Sequence, residues 1–175
     1  MAADVARRDP RHGIVTGKLS SITGTLDWPM IVATTAAGDD VAGCLVGFHT
    51  QSSIDPECWL VCISKVNHTY PVVRRARTLV AHFLRADQLE LARIFGTETG
   101  DVVDKFAQCP WHRGPDGVPV LDGCDWIAGP IVGRFDLGDH EGQLVSVSEV
   151  GQGHPGGAQL GYQQVARMPP GHPVR

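Results

Sequence analysis

A cluster of hydroxyl and amide side chains between two apolar runs is the first feature of this sequence that could do chemistry. The cluster occupies positions 49–53 (HTQSS), after the apolar run 41–48 and before Ile54-Asp55-Pro56. Hydroxyl groups and backbone N–H groups that converge on one point bind phosphate. Surface turns share this composition, so the residues alone leave two interpretations open, a phosphate-binding loop and a solvated turn.

Far downstream, a lone histidine follows a turn signal. Gly138-Asp139 is a typical turn dipeptide, and His140 comes directly after it, between the segments RFDL and LVSVSEV. Histidine is the side chain that most readily exchanges a proton near neutral pH. Histidines that are merely solvated or structural are common, so the tripeptide by itself leaves a catalytic role open.

Other catalytic and metal-binding patterns find little support. The five cysteines form no Cys-x-x-Cys pair, and their odd number suits free thiols in a reducing compartment. A zinc site would need further ligands at close spacing, so no metal site is expected. The sequence lacks the Gly-x-Ser-x-Gly of a serine hydrolase. A Rossmann site, in which a glycine-rich loop joins a strand to a helix, is not supported.

The composition is that of one ordinary globular domain, with 42% hydrophobic and 19% charged residues in a chain of 175. A net charge of −4 argues against nucleic acid or a membrane surface as a partner. The longest apolar runs have the length of strands, and no apolar core of a signal peptide follows the N-terminal arginines. We therefore expect a cytoplasmic protein.

The alternation of apolar and polar residues predicts a β-rich domain with a few short helices. Strands are expected over 26–35, 41–48, 59–64, 78–84, 118–121, 126–137 and 143–150. Helices are expected over 67–76, with Asn67 as the N-cap, over 87–95, stopped by Gly96, and over 101–106. Several strands with helices inserted between them favour a barrel over a doubly wound sheet.

The expected strands and helices, together with the composition of the two termini, divide the chain into three parts. Residues 1–16 are expected to be a flexible N-terminus, and residues 17–150 to form the folded domain. The tail 151–175 is rich in Gly, Pro and Gln, so we expect it to be loosely ordered or to pack on a partner subunit.

Taken together, these motifs resemble the flavin reductase family. The resemblance runs from Trp28 to Val150 and rests on the order of the motifs, which are the 49–53 cluster with Ile54-Asp55-Pro56, the Asn67 helix, Asp104-Lys105-Phe106 and Gly138-Asp139-His140. It implies an FMN-binding split barrel, a mainly β fold of antiparallel, Greek-key type with short helices. It also implies a homodimer with FMN, or FAD, near the subunit interface.

The resemblance further implies which residues hold the ligands. The cofactor-binding residues would be Trp28, Ala33, Thr34, Thr35, Phe48, His49, Thr50, Gln51, Ser52, Ser53, Ser64, Lys65, Asn67 and Thr69. The phosphate would lie by the 48–53 loop and the start of the Asn67 helix, where a helix N-terminus favours an anion. His140 would be the catalytic residue, orienting NADH or NADPH over the flavin. The chain departs from the family at Val46-Gly47, where further hydroxyl groups are common.

Two functions of different class follow. The first is an NAD(P)H-dependent flavin reductase, of the kind that often supplies reduced flavin to a separate monooxygenase. The second is a non-catalytic split-barrel protein that carries a flavin, a haem or a deazaflavin. Asp104-Lys105-Phe106 is interpreted as structural, with Phe106 packed in the core and Lys105 solvated or paired.

Overall fold

The computed structural model describes residues 17–153 and 156–171, and the predicted flexible segment 1–16 lies outside them. In chain order, the elements are α1 Ser20–Thr23, β1 Ile31–Ala37, β2 Asp40–Val46, β3 His49–Ile54, β4 Glu57–Ser64, α2 Thr69–Val73, β5 Thr78–Phe83, α3 Leu89–Thr97, β6 Trp111–Arg113, β7 Pro119–Leu121, β8 Asp125–Asp136, β9 His140–Ser146, β10 Glu149–Gly151 and α4 Tyr162–Val165. No helix of the described ranges is long and apolar enough to cross a membrane.

One curved antiparallel sheet carries the fold. Its strands lie in the order β2-β1-β5-β8-β9-β4-β3, with β10 paired to β8, and β6 and β7 form a separate hairpin. The long strand β8 pairs with β5 through its first half and with β9 through its second. The sheet curls until β2 meets β4, so the predicted mainly β barrel is confirmed.

The core fills both faces of the central strands, which explains their nearly continuous apolar runs. The barrel interior holds ten buried residues from five strands and α2, among them Ile31, Val61 and Leu79. A second cluster lies between the sheet and α3, where Phe95 packs edge-on against Phe106. Phe106 is therefore in the core, as predicted.

A buried histidine joins the small hairpin to the large sheet. The His82 ring has no exposed surface, and its Nε2 accepts the Leu121 backbone N–H while its Nδ1 lies 3.0 Å from the Val32 carbonyl oxygen. Because Nε2 accepts, the ring hydrogen must be on Nδ1, which donates to that carbonyl. Burial lowers the pKa of His82 to about 4. The ring thus ties together β1, β5 and β7 in its neutral form.

Three local predictions were wrong. Residues 49–54 form the edge strand β3 rather than a loop, because their backbone pairs with β4. Helix α3 continues through Gly96 to Thr97. Residues 100–102 form a turn and residues 103–104 are irregular, so there is no helix over 101–106. A short 3₁₀ turn follows at Phe106–Gln108, where the Asp104 carboxylate accepts the backbone N–H groups of Phe106 and Ala107. This local side-chain bonding competes with a regular helix.

Lys105 also differs from the expectation that it is solvated or paired. Its side chain is buried, and its ammonium group donates to the carbonyl oxygens of Gly43 (3.4 Å) and Phe95 (3.3 Å). Burial lowers the pKa of this amine. The ammonium group joins β2 to the end of α3.

The described part of the tail packs on its own chain instead of lying loose. Pro29 bridges to Gly161 and Arg85 bridges to Gln159, so residues 159–161 run alongside the start of β1 and the end of β5. Leu160 is fully buried, and Val165 of α4 is 6% exposed. The folded unit therefore extends beyond residue 150.

Candidate functional site

A cavity of about 420 Å³ opens at the junction of β2, β4 and the two ends of the described chain. Its lining residues are Leu19, Ser20, Thr23, Gly24, Trp28, Met30, Cys44, Leu45, Val46, Gly47, Phe48, Cys62, Ser64, Asn67, His140 and Tyr162. Its volume falls within the range of about 300–1,000 Å³ that small-molecule pockets occupy. The walls are apolar and aromatic, with a few polar groups, which is the usual make-up of a cofactor site.

The sheet places the polar groups of the cavity together at one edge. Ser64, the last residue of β4, is paired in register with His140, the first of β9. The Lys65 backbone N–H donates to the Asp139 carbonyl oxygen at 2.9 Å, which holds the turn before His140 against the end of β4. Gly138 in this turn has φ of 91°, a left-handed conformation that glycine adopts without strain.

Two neighbours fix the imidazole of His140. Its Nδ1 lies 2.8 Å from an Asp139 carboxylate oxygen, and the Phe48 ring lies against the imidazole at 5.2 Å between centroids. Hydrogen bonding to His140 lowers the pKa of Asp139, so this carboxylate is ionised and can only accept. Nδ1 therefore donates to Asp139, and Nε2 is left for a ligand of the cavity.

Asn67 supplies the amide at the same edge. The N-cap of α2 is His68, one residue later than predicted, but the Asn67 Oδ1 accepts the Thr69 backbone N–H at 2.9 Å at the start of the helix. Helix α2 is shorter than expected, with five residues from Thr69 to Val73. The bond to Thr69 uses Oδ1 and leaves the Asn67 NH₂ group as the donor for a ligand.

Both ends of the described chain close the cavity on its other side. Residues 17–27, here called the strap, include α1 and contribute Leu19, Ser20, Thr23 and Gly24 to the lining. Trp28 and Tyr162 follow with ring centroids 6.3 Å apart, and the Tyr162 backbone N–H donates to the Trp28 carbonyl oxygen at 2.8 Å. The aromatic wall is therefore built from sequence-distant segments.

The structure brings together five of the predicted site residues and places the other ten elsewhere. Trp28, Phe48, Ser64, Asn67 and His140 line the cavity. Ala33, Thr34 and Thr35 do not, because β1 is a central strand covered on both faces. The Thr34 hydroxyl donates to the Pro119 carbonyl oxygen at 2.6 Å, and that of Thr35 to the Thr78 carbonyl oxygen at 2.8 Å. These three residues are core residues of the fold.

The hydroxyl cluster also lies away from the cavity within this chain. Thr50, Gln51 and Ser52 are exposed on β3 and Ser53 is partly exposed. His49 stacks on Trp59 and its Nε2 lies 2.9 Å from the Pro29 carbonyl oxygen. Lys65 pairs with Asp136 at 2.8 Å, and Thr69 is buried. The hydroxyl cluster that was predicted to bind the phosphate therefore does not line the cavity of this chain. Lys65 does not line it either, but it follows Ser64, which does.

The sequence interpretation missed the strap, Met30, Tyr162 and the β2 residues Cys44–Val46. The β2 residues were predicted only to form a strand. The alternation of apolar and polar residues along a strand does not indicate which of its faces lines a cavity. Tyr162 lies in the one weak apolar stretch of the tail, and this stretch could have indicated that the segment packs against the folded domain. Cys44 and Cys62 both line the cavity as free thiols, and burial raises the pKa of each.

No group of three or more potential metal ligands occurs in the ranges 17–153 and 156–171. The cavity instead offers an imidazole, an amide and a hydroxyl beside flat apolar walls. Such an arrangement can hold a planar aromatic ligand with hydrogen-bonding groups along one edge.

Comparison with known proteins agrees with this geometry. The family model described as "Flavin reductase like domain" matches residues 24–169. A Rhizobium meliloti protein named "Probable flavin reductase" is 28% identical over 137 residues, which cover 74% of this chain and 43% of that protein. The reductase subunit HsaB of a Mycobacterium tuberculosis flavin-dependent monooxygenase is 30% identical over 128 residues, covering 69% of this chain and 65% of HsaB. The chain thus spans less than two thirds of either relative.

A solved structure extends the likeness to three dimensions. The NADH:FAD oxidoreductase SgcE6 of Streptomyces globisporus, in complex with NAD and FAD fragments, superposes with a TM-score of 0.69 at 25% identity, over 80% of this chain and 82% of that one. The split-barrel fold expected from the sequence is therefore confirmed. Because the family model covers residues 24–169, which is most of the chain, this protein belongs to the flavin reductase family.

Proposed function

We propose that this protein is an NAD(P)H-dependent flavin reductase whose cavity binds the ring of FMN, or of FAD. The observation that carries the proposal is the position of His140, fixed by Asp139 and Phe48 at the polar edge of an aromatic-lined cavity. HsaB is named a reductase subunit, and SgcE6 is named an NADH:FAD oxidoreductase. These names support the same activity here.

The lining fits a flavin ring. Trp28, Met30, Phe48 and Tyr162 provide apolar surface, and Gly47 has no side chain to fill the space between them. Ser64, Asn67 and His140 provide hydrogen-bonding groups that suit the polar edge of the ring. Lys65 lies just outside the lining and carries the positive charge closest in sequence to this edge, so it would face the phosphate side of the ligand.

The chain's own part in the reaction is to bind, orient and exclude water. A bound flavin supplies the capacity to accept a hydride from a nicotinamide. Phe48, 57% exposed at the cavity mouth, offers an apolar surface for the nicotinamide. The Nε2 atom of His140, held by the Asp139 bond, orients the nicotinamide over the flavin. The apolar walls and the strap keep water away.

The test is the anaerobic visible absorbance of the protein with FMN, followed while NADH and then NADPH are added. Catalytic bleaching of the flavin band supports the reductase and identifies the nicotinamide. A flavin that binds and stays oxidised with both donors contradicts the reductase and favours the non-catalytic carrier of a flavin or deazaflavin. If no flavin binds, the cavity assignment fails.

We also propose that the protein is a homodimer. Seven residues form an apolar surface beside the cavity, called here the sheet patch: Ser52, Ser53, Cys58, Leu60, Phe135, Leu137 and Leu144. Phe135 and Leu137 are 48% and 50% exposed, which is unusual for large apolar side chains side by side. A second copy of this chain would cover the patch and bring the β3 hydroxyls to the interface, next to the cavities.

The partner in the cell is proposed from the relatives. Since HsaB is the reductase subunit of a flavin-dependent monooxygenase, we propose that this chain supplies reduced flavin to a separate monooxygenase. The five free cysteines of this chain suit a reducing compartment, so we propose that the protein is located in the cytoplasm.

A further inference from the structure

The strap covers the cavity but has little packing of its own. Four of its residues line the cavity, while helix α1 within it has no buried residue. Leu19 and Ile22 are 75% and 64% exposed. Because buried apolar area is the main source of local stability, hydrogen bonds to the rest of the chain must contribute much of what holds the strap in place.

One side chain of α4 supplies such bonds. The Gln163 Nε2 atom donates to the carbonyl oxygens of Gly24 at 2.9 Å and Leu26 at 2.8 Å. The Gln163 backbone N–H donates to the Asp27 carboxylate at 2.8 Å. Gln163 does not line the cavity, yet one of its bonds is to Gly24, which does line it next to Thr23.

The neighbouring residue Gln164 is bonded differently. Its Oε1 accepts the Gly161 backbone N–H at 3.1 Å, a bond within the start of α4 that does not reach the strap. Both glutamines are exposed residues of the same helix. The Gln163 side chain bonds the strap and the Gln164 side chain does not, so Gln164 is a matched control for substitutions of the Gln163 side chain.

We propose that Gln163 is a positioning residue for the ligand of the cavity: it fastens the strap, residues 17–27, as a roof over the bound flavin. The inference rests on the proposed function, because it takes flavin as the ligand. A fastened strap contacts the ring and excludes water, whereas a released strap leaves one wall of the cavity open. Gln163 therefore strengthens flavin binding without touching the flavin.

The variant Gln163→Glu tests this, because it keeps the size of the side chain and replaces the two donors by acceptors that repel the carbonyl oxygens. FMN binding is measured by titration, and the loss of two hydrogen bonds should weaken it about tenfold. The KM for FMN should rise by the same factor, and kcat at saturating FMN should stay the same. Gln164→Glu keeps its accepting oxygen and adds the same charge, so it should bind FMN as the wild type does.

A second readout does not depend on turnover. Lys18 is an exposed residue of the strap, and trypsin cleavage after it can be followed by mass spectrometry. Gln163→Glu should speed this cleavage in the free protein, and FMN should slow it in the wild type. Gln163→Leu, which removes the donors without adding charge, should behave in the same way and guards against a folding defect of the first variant.

The outcomes separate the two proposals. Wild-type protein that binds neither FMN nor FAD overturns the proposed function and, with it, the role of Gln163. If the wild-type protein binds FMN and both Gln163 variants bind it as tightly as the wild type does, only the proposed role of Gln163 is overturned. Weakened binding with unchanged cleavage at Lys18 also overturns it, because Gln163 would then act by another route than the strap.

Discussion

Phe48 and His140 face each other at the mouth of the cavity, with ring centroids 5.2 Å apart and planes inclined by 57°. The two residues come from different hairpins, and β4 lies between them in the sheet. The phenyl ring limits the movement of the imidazole on one side, and the Asp139 carboxylate holds it on the other. This double restraint makes His140 a fixed group rather than a mobile surface side chain.

Replacing His140 should therefore affect the nicotinamide more than the flavin. His140→Ala is expected to lower kcat/KM for NADH roughly 100-fold, because a misoriented donor loses the close approach that hydride transfer needs. The dissociation constant of FMN should change little. His112→Ala is the matched control, since His112 is also bonded to an aspartate, Asp122, at 2.7 Å, but lies on β6, away from the cavity. Equal effects of the two substitutions would refute the role of His140.

Asp139 should act through His140. Asp139→Asn is expected to lower kcat/KM roughly tenfold, because an amide no longer fixes which ring nitrogen carries the hydrogen. Steady-state kinetics of the single variants and of the double variant with His140→Ala would measure the coupling. The double variant should be no slower than His140→Ala alone. Additive losses would show that Asp139 has a separate function.

Stability should fall as the pH decreases below about 6.5. His82 is neutral in the folded chain, with its pKa lowered to about 4, while the unfolded chain has the ordinary value of 6.5. Between these values the unfolded chain binds the extra proton, so each pH unit removes about 1.4 kcal/mol of unfolding free energy, up to about 3 kcal/mol. Burial also lowers the pKa of His49, which acts in the same direction.

Urea unfolding at pH 7.5 and pH 5.0 measures this effect, and the difference assigned to His82 should be about 2 kcal/mol. His82→Gln should be less stable than the wild type at pH 7.5, because both ring bonds are altered, but its stability should depend less on pH. An equally steep pH dependence in this variant would exclude His82 as the cause.

The sheet patch should determine the oligomeric state. Leu137→Asp places a charge on a half-exposed apolar residue of the patch, and we expect it to shift a dimer to monomer. Sedimentation equilibrium measures the change. Val102→Asp is the control, since Val102 is 80% exposed and lies in a turn outside the patch. A wild-type protein that is monomeric at all concentrations contradicts the proposed dimer.

The strands were predictable because burial imposes a regular pattern. β2, β4, β5 and β8 were each located within two residues at both ends, since their apolar runs are long, whereas the predicted start of β1 was five residues too early. β3 was missed because Thr, Gln and Ser are typical of turns, whereas cross-strand pairing with β4 decides their conformation. β6 has only three residues, Trp111–Arg113, and its partner β7 determines it.

The site was harder to predict than the fold. Phe48, Ser64 and His140, which were predicted from motifs near strand ends, line the cavity. The strap and Tyr162 were not found, because their position depends on contacts such as that between Gln163 and Leu26, 137 positions apart. No local pattern encodes such a contact. Thr34 and Thr35 were predicted as ligand-binding residues, but in this chain both are buried and their hydroxyls donate to backbone carbonyl oxygens.

The outer face of β4 carries Cys58 and Leu60 in the sheet patch and then Cys62 and Ser64 in the cavity. Four alternate residues of one strand are thus divided between the sheet patch, where we propose that a second chain binds, and the cavity, where we propose that the flavin binds. Mass action then couples the two: if a second chain stiffens this strand, dilution of the protein weakens ligand binding, and saturation with the ligand tightens the assembly by the same factor. The apparent affinity for the flavin would therefore be a property of the protein concentration as well as of the cavity.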